Sequence, residues 1–270
     1  MKKYLKFLRY EFDPAFAERA KLIFNEADKR KPKKILDAGC GRGFYLKVLS
    51  SFSFIKEIHG VDINDNYLKI AKKININKRV KIKNASLYNL PYQDKYFDLI
   101  ICSEVLEHLE DDIKAILELK RVLKPEGAII ITVPHKNFPF LWDPFNWLLM
   151  KFFHTHINKN IWWLAGIWAD HLRLYEEEDI KNKLKKSGLK IVKFKKIVHW
   201  CWPFSHFLLY GIGKNLVEKM NLKSFDRFNF ETKNKSLKLF ANLFSFPSRF
   251  LDKKFPKKSA VNLFLVLTSN

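Results

Sequence analysis

The chain has 270 residues, enough for one α/β domain with a well-buried core and appendages. Its apolar content of 47% is ordinary, but a net charge of +22 and an aromatic content of 15% are not. Three widely spaced cysteines (Cys40, Cys102, Cys201) argue against a secreted disulfide scaffold and for a reducing compartment. The basic start, Met1 to Arg9, lacks an apolar core, so no signal peptide is expected. No run of about 18 apolar residues predicts a transmembrane helix. The expected location is the cytoplasm.

Residues 1–32 read as one or two amphipathic helices, interrupted at Asp13-Pro14 and bounded by Pro32. Lys34 to Asp37 is a short strand entering a glycine turn, with a helix from about Phe44. Ile58 to Asp62 reads as a second strand. Asn64 to Lys73 reads as a helix, with Asn64 or Asp65 as N-cap. Val80 to Lys83 and Phe97 to Cys102 are the third and fourth strands. Asp111 to Leu123 is a helix stopped by the turn signal Lys124-Pro125-Glu126-Gly127, and Ala128 to Val133 is the fifth strand. The alternation resumes with a helix at Glu176 to Lys186 and strands at Leu189 to Val198 and Val261 to Thr268. Near-continuous apolar strands alternating with helices imply a doubly wound α/β fold, a mostly parallel seven-stranded sheet covered on both faces. The last strand is expected to be antiparallel. The expected division is an N-terminal cap (1–32), a core (33–134), an aromatic lid insert (135–170), a return to the core (171–197), a basic aromatic insert (198–258) and a final strand (259–270).

The strongest chemical signal is Asp37-Ala38-Gly39-Cys40-Gly41-Arg42-Gly43. Glycines at alternate positions after a strand let the backbone approach a ligand at a helix N-terminus. Asp62 follows about 20 residues on, where a carboxylate accepts ribose hydroxyls. The order G-x-G-x-G lacks the third-glycine spacing of a dinucleotide fingerprint, and no Gly-Lys-Ser/Thr of a phosphate loop is present. This run resembles the first motif of class I S-adenosylmethionine (AdoMet)-dependent methyltransferases, within the broad group related to quinone-biosynthesis enzymes. Val61-Asp62, Leu90-Pro91-Tyr92 with Phe97-Asp98, Ser103 to Leu109 and Arg121 to Gly127 resemble the family's later motifs in order.

The resemblance implies AdoMet as cofactor. Asp37, Gly39 and Gly41 would line its methionine end, with Cys40 and Gly43 in the same loop. Asp62 would hold the ribose and Ile63 would pack on the adenine. The position that meets the adenine amino group is usually acidic; here it is Ser86, with Ala85 beside it. Ser103 and Glu104 would lie near the sulfonium. Glu104, Glu107 and His108, spaced i, i+3, i+4, are expected on one helix face. The expected role of Glu107 and His108 is structural, and no metal site is assigned. An oxygen nucleophile can need a base; His108, His135 and His171 are the candidates. His154 and His156 read as surface residues of the insert.

All seven tryptophans fall in the two inserts: Trp142, Trp147, Trp162, Trp163, Trp168, Trp200 and Trp202. Charge is uneven too, with 17 basic against 13 acidic residues in 33–134 but 12 against 4 in 198–258. Tryptophan beside lysine suits an anionic membrane interface. The expected acceptor is therefore hydrophobic or lipid-linked, with O-methylation favoured at the membrane surface. Packing of these aromatics on the core, or in a dimer interface, is the plainer alternative. The charge also admits a nucleic-acid substrate, but the place after the fourth strand reads Cys102-Ser103-Glu104-Val105 rather than Asn/Asp-Pro-Pro-Tyr/Phe, so RNA is the less favoured acceptor. A non-catalytic AdoMet-binding protein is the third reading. The oligomeric state is not legible.

Overall fold

The computed structural model describes residues 3–161, 164–213, 235–255 and 257–269. Trp162, Trp163 and residues 214–234 of the second insert lie outside the described residues. A 3-10 turn (Lys3–Leu8) leads to α1 (Pro14–Arg30). Asp13 caps α1, its carboxylate accepting from the backbone N–H of Ala15 at 2.8 Å and of Phe16 at 3.1 Å. Pro14 then sits where a missing N–H costs nothing. The Asp13-Pro14 break in the sequence is thus a helix start.

Seven strands form one sheet: β1 (Lys34–Ala38), β2 (Glu57–Asp62), β3 (Val80–Asn84), β4 (Phe97–Ser103), β5 (Leu123–Pro134), β6 (Leu189–Ile197) and β7 (Asn262–Ser269). Their order is β3-β2-β1-β4-β5-β7-β6, with β7 antiparallel to both neighbours. Period-2 alternation divides the apolar strands between two cores. Ile35, Leu99, Ile101, Ile130 and Phe264 face α1 and α2 (Phe44–Leu49), joined by Leu68 of α3 (Asp65–Ile74). Leu36, Ile100, Cys102, Ile131 and Leu265 face α4 (Asp112–Val122) and α6 (Glu177–Lys186). A sheet covered on both faces is what the apolar strands require.

One turn signal meant something else. Lys124 to Gly127 lies inside β5, where the register with β4 jumps from Phe97↔Leu123 to Leu99↔Ala128. The four residues form a bulge in a strand, not a loop before one.

The inserts share a third core. Phe138, Trp142 and Ile167 of the first pack with Cys201 of the second, against Ala15 of α1, Leu174 of the return to the core and Val261. The first insert carries α5 (Pro144–Phe153) and closes through a parallel bridge between His135 and Tyr175. The second carries a π-helical turn (Phe207–Gly213) and α7 (Lys235–Lys254). No helix among the described residues is long and apolar enough to cross a membrane.

Candidate active site

The sheet order reverses between β1 and β4, so a crevice opens at the carboxyl ends of those strands. The glycine loop lies there. Gly39 and Cys40 donate backbone N–H bonds to the Val61 carbonyl at 2.8 and 2.9 Å, tying the loop to the end of β2. The Asp62 carboxylate accepts from Gly41 N–H at 2.8 Å and Asn64 N–H at 2.9 Å. Gly39 and Gly41 have φ of +79° and +49°. A Cβ on Gly39 would stand 2.4 Å from Val105, whereas one on Gly41 would meet nothing within 4 Å. The loop is therefore packed on one side and open on the other, as close backbone approach to a ligand needs.

Asp37 is buried and its Oδ2 has no hydrogen-bond partner. Burial, and then the charge of Asp62, push its carboxyl up to about 8. An orphaned carboxylate beside a second one calls for a cationic ligand. AdoMet carries an ammonium and a sulfonium, so Asp37 fits its methionine end. Ile63 is exposed beside Asp62, free to cover a ring. Ala85 N–H bonds the Asp62 carbonyl at 3.1 Å. The Ser86 hydroxyl accepts from Tyr88 N–H at 3.2 Å, within its own turn. Cys40 and Cys102 are buried thiols with raised pKa values, and neither is a thiolate nucleophile.

Glu104 does not share a helix face with Glu107 and His108. It has φ +56°, and the chain then makes only a 3-10 turn, Leu106–His108. The kink sends Glu104 into a polar network. Thr132 Oγ1 donates to Glu104 Oε1 at 2.9 Å, Ser103 stands 2.8 Å from Thr132 and Tyr45 3.2 Å from Ser103. Each hydroxyl has one proton, so the chain runs Tyr45 to Ser103 to Thr132 to Glu104. On the other oxygen, Asn262 Nδ2 donates at 2.7 Å and Arg19 stands at 3.4 Å. Burial alone would lower the Arg19 pKa; Glu104, then Tyr45 and Asp13, hold it raised.

Beyond Glu104 lies a cavity of about 450 Å³. Trp142, Ile167, Pro134 and Val261 supply apolar walls; Arg19, His171, His206 and Tyr210 supply polar ones. Tyr210 donates to Asp13. Trp142 Nε1 and Arg19 Nε are buried without partners. His171 Nδ1 stands 2.5 Å from the Ile167 carbonyl, which requires N–H there and leaves a lone pair on Nε2. Burial, then His108, lower His171 to about 3, so it is neutral.

The three candidate histidines separate. His171 lines this cavity. His108 is exposed, its Nδ1 on the Asp170 carbonyl at 2.8 Å and its ring 4.8 Å from that of His171. His135 lines another cavity, with Trp147, Met150 and Glu176, that shares no residue with the first. Glu107 is buried, its oxygens unpartnered and 4.0 Å from His171 Nε2; burial and then Glu104 push its carboxyl well up. Donor atoms of Glu107, His108 and His171 lie within 4.8 Å of one another. Sequence reasoning missed Arg19, Thr132, Asn262 and His206. Arg19 was findable, as a lone charge in the apolar stripe of Phe16, Ala20 and Ile23.

A family profile described as "Methyltransferase domain" matches residues 36–131. An uncharacterized protein of Methanocaldococcus jannaschii is 32% identical over 57% of this chain and 64% of its own length. The ubiquinone/menaquinone biosynthesis C-methyltransferase UbiE of Paraburkholderia phymatum is 26% identical over 63% and 72%. A tRNA (carboxymethyluridine(34)-5-O)-methyltransferase of Arabidopsis thaliana is 42% identical over 37% and 23%. The chain thus spans less than two thirds of the first of these relatives. The YcgJ protein of Bacillus subtilis shares the fold, with a TM-score of 0.56 at 16% identity over 94% of this chain and 99% of its own. The family match begins in β1 and ends in β5, across the strands that carry the glycine loop, Asp62 and Ser103, and residues 36–131 form a methyltransferase domain of the class I AdoMet-dependent kind.

Proposed function

We propose that this protein transfers a methyl group from AdoMet to an oxygen of a hydrophobic or lipid-linked acceptor, at the cytoplasmic face of a membrane. The observation that carries the reading is the cavity beside Glu104: apolar walls around one buried cation and two neutral imidazoles, His171 and His206. AdoMet, held by Asp37, the glycine loop and Asp62, supplies an already activated methyl group. The chain's own task is to position, desolvate and manage one proton.

Arg19 favours the ionised form of an acceptor hydroxyl placed near it. Glu104 neutralises Arg19 before the acceptor arrives, so the cation is not buried alone. His171 Nε2, its lone pair fixed by the Nδ1–H bond to the Ile167 carbonyl, takes the acceptor's proton. A neutral imidazole takes a proton more readily from an acidic hydroxyl, a phenol or an enol, than from an alcohol. Trp142 and Ile167 exclude water and hold the apolar part.

Wild-type protein and Asp62→Ala are incubated with labelled AdoMet and a host membrane-lipid extract. Label in a lipid with the first and none with the second supports the reading. Label only in added RNA sinks the acceptor class and moves the acceptor to nucleic acid. In the same assay, His171→Gln is expected to lower turnover about 100-fold or more while AdoMet binding holds.

A further inference from the structure

We propose that α7, the segment 202–208 and α5 form a single docking face for an anionic bilayer; this rests on the membrane-surface reading above and assigns it to residues. In α7, Leu239, Leu243, Phe246 and Phe250 recur at i, i+4, i+7 and i+11 and so share one face. That face points outward: Leu239 is 70% exposed, Leu243 58% and Phe246 51%. The opposite face carries the small and polar residues. Ala241 and Ser245 are buried, and Asp252 turns in to accept the N–H groups of His199 and Trp200 at 3.0 and 2.9 Å. A helix on a water-facing surface has the reverse polarity.

The apolar face is continuous with its neighbours. Trp202 Nε1 donates to the Leu243 carbonyl at 3.0 Å. Phe204 packs on Phe145 of α5 at 5.7 Å between centroids, and Phe207 on Phe145 at 5.5 Å. From there Phe152 and Phe153 continue outward, the latter 71% exposed. A patch of this extent on a protein surface marks a contact.

Charge selects the occupant. Lys238, Arg249, Lys253 and Lys254 flank the α7 stripe, and Lys151 flanks that of α5. Lys254 lies over Phe250 at 4.6 Å and Lys151 over Trp147 at 4.4 Å. Among the described residues of α5, 198–213 and α7 the one carboxylate is Asp252, and it turns inward. Aromatic and leucine side chains flanked by cations, with no outward acid among the described residues, match a bilayer of anionic headgroups rather than a zwitterionic one. Neither helix is able to cross it, so the protein lies on the surface. Segment 202–208 supplies His206 to the wall of the acceptor cavity, and Trp142 and Tyr210, two residues before α5 and two after that segment, line it too. Seating this face brings that cavity to the lipid interface.

The test is flotation with phosphatidylglycerol-containing and pure phosphatidylcholine vesicles, of full-length wild type and of Leu243→Ser/Phe246→Ser/Phe250→Ser. AdoMet titration of both proteins serves as the folding check, because the cofactor residues lie on other elements. Expected are wild-type binding to the anionic vesicles that falls with salt, loss of about 100-fold in the triple variant, and unchanged AdoMet affinity. Lys253→Glu/Lys254→Glu is expected to weaken only the anionic component. Wild type and triple variant binding equally would overturn the face and leave the membrane reading standing. Wild type binding neither vesicle would overturn both and leave methyl transfer. A wild-type dimer that the triple variant converts to monomer would give the face to a second copy and overturn the proposal.

Discussion

In the proposed binding mode, cofactor charge meets protein charge at Asp37. Its carboxyl, buried and near Asp62, sits at about 8 and is mostly protonated at pH 6.5. A cation placed against it stabilises the carboxylate and pulls that value down. AdoMet binding should therefore expel about one proton at pH 6.5, and affinity should rise with pH until about 8. Calorimetric titration in buffers of different ionisation heat reads the proton directly. Asp37→Asn should bind more weakly and release none; equal release from both proteins would remove Asp37 from the cofactor's methionine end. The Arg19–Glu104 pair gives a second residue-scale expectation. Arg19→Met or Glu104→Gln alone strands the partner in a partly buried site, whereas the double variant removes both charges. A double-mutant cycle by urea unfolding should show favourable coupling of about 1–3 kcal/mol. Additive singles would mean the pair is an accident of proximity.

At the scale of elements, α1 joins fold to site. Asp13 caps it, Phe16 and Phe24 pack it on Tyr45, and Arg19 reaches the cavity. Asp13→Ala should cost about 1–2 kcal/mol in urea unfolding, and Asp13→Asn should recover most of it; an unchanged midpoint for Asp13→Ala would show the cap to be idle. The elements read well from sequence wherever their signal was local. Apolar periodicity placed every strand, and Asn64 is the cap of α3, its side chain accepting from Asn66 and Tyr67. The glycine loop and Asp62 were legible because their spacing is set within one strand–turn–helix unit. What was not legible is whatever tertiary contact decides. The Glu104 kink breaks a helical spacing that i, i+3, i+4 arithmetic assumes. Lys124 to Gly127 carries turn residues yet stays in a strand, since β4 pairs on either side of the bulge. Asn262 and Thr132 lie in apolar strands 130 residues apart, and only the sheet order β5-β7 brings them both to Glu104.

For the whole molecule, four histidines among the described residues, His59, His135, His171 and His206, have their pKa values lowered by burial, and that weakens the fold in acid. Burial lowers His171 to about 3 and His135 and His206 to about 4. Once unfolded, each imidazole takes a proton near 6.5. Between about pH 4 and 6.5 the unfolded chain therefore binds protons that the folded one refuses, and stability falls as pH falls through that window. The slope is at most about 1.4 kcal/mol per pH unit for each such group. Asp37 and Glu107 act in the opposite sense. Their carboxyls are raised in the fold, so the folded state keeps protons the unfolded chain has lost, and their contribution is fully present only in acid. For Asp37 it disappears as pH rises through about 8. Acid loss from the histidines and alkaline loss from Asp37 leave the cofactor-free protein most stable between them, near neutrality. Urea unfolding from pH 4.5 to 8.5 tests both arms. His206→Asn should flatten the acid arm without moving the alkaline one, and saturating AdoMet should flatten the alkaline arm alone, because the bound cation has already ionised Asp37. An acid arm identical in His206→Asn and wild type would place that histidine in contact with water, and with it the wall of the cavity beside Glu104 that it forms.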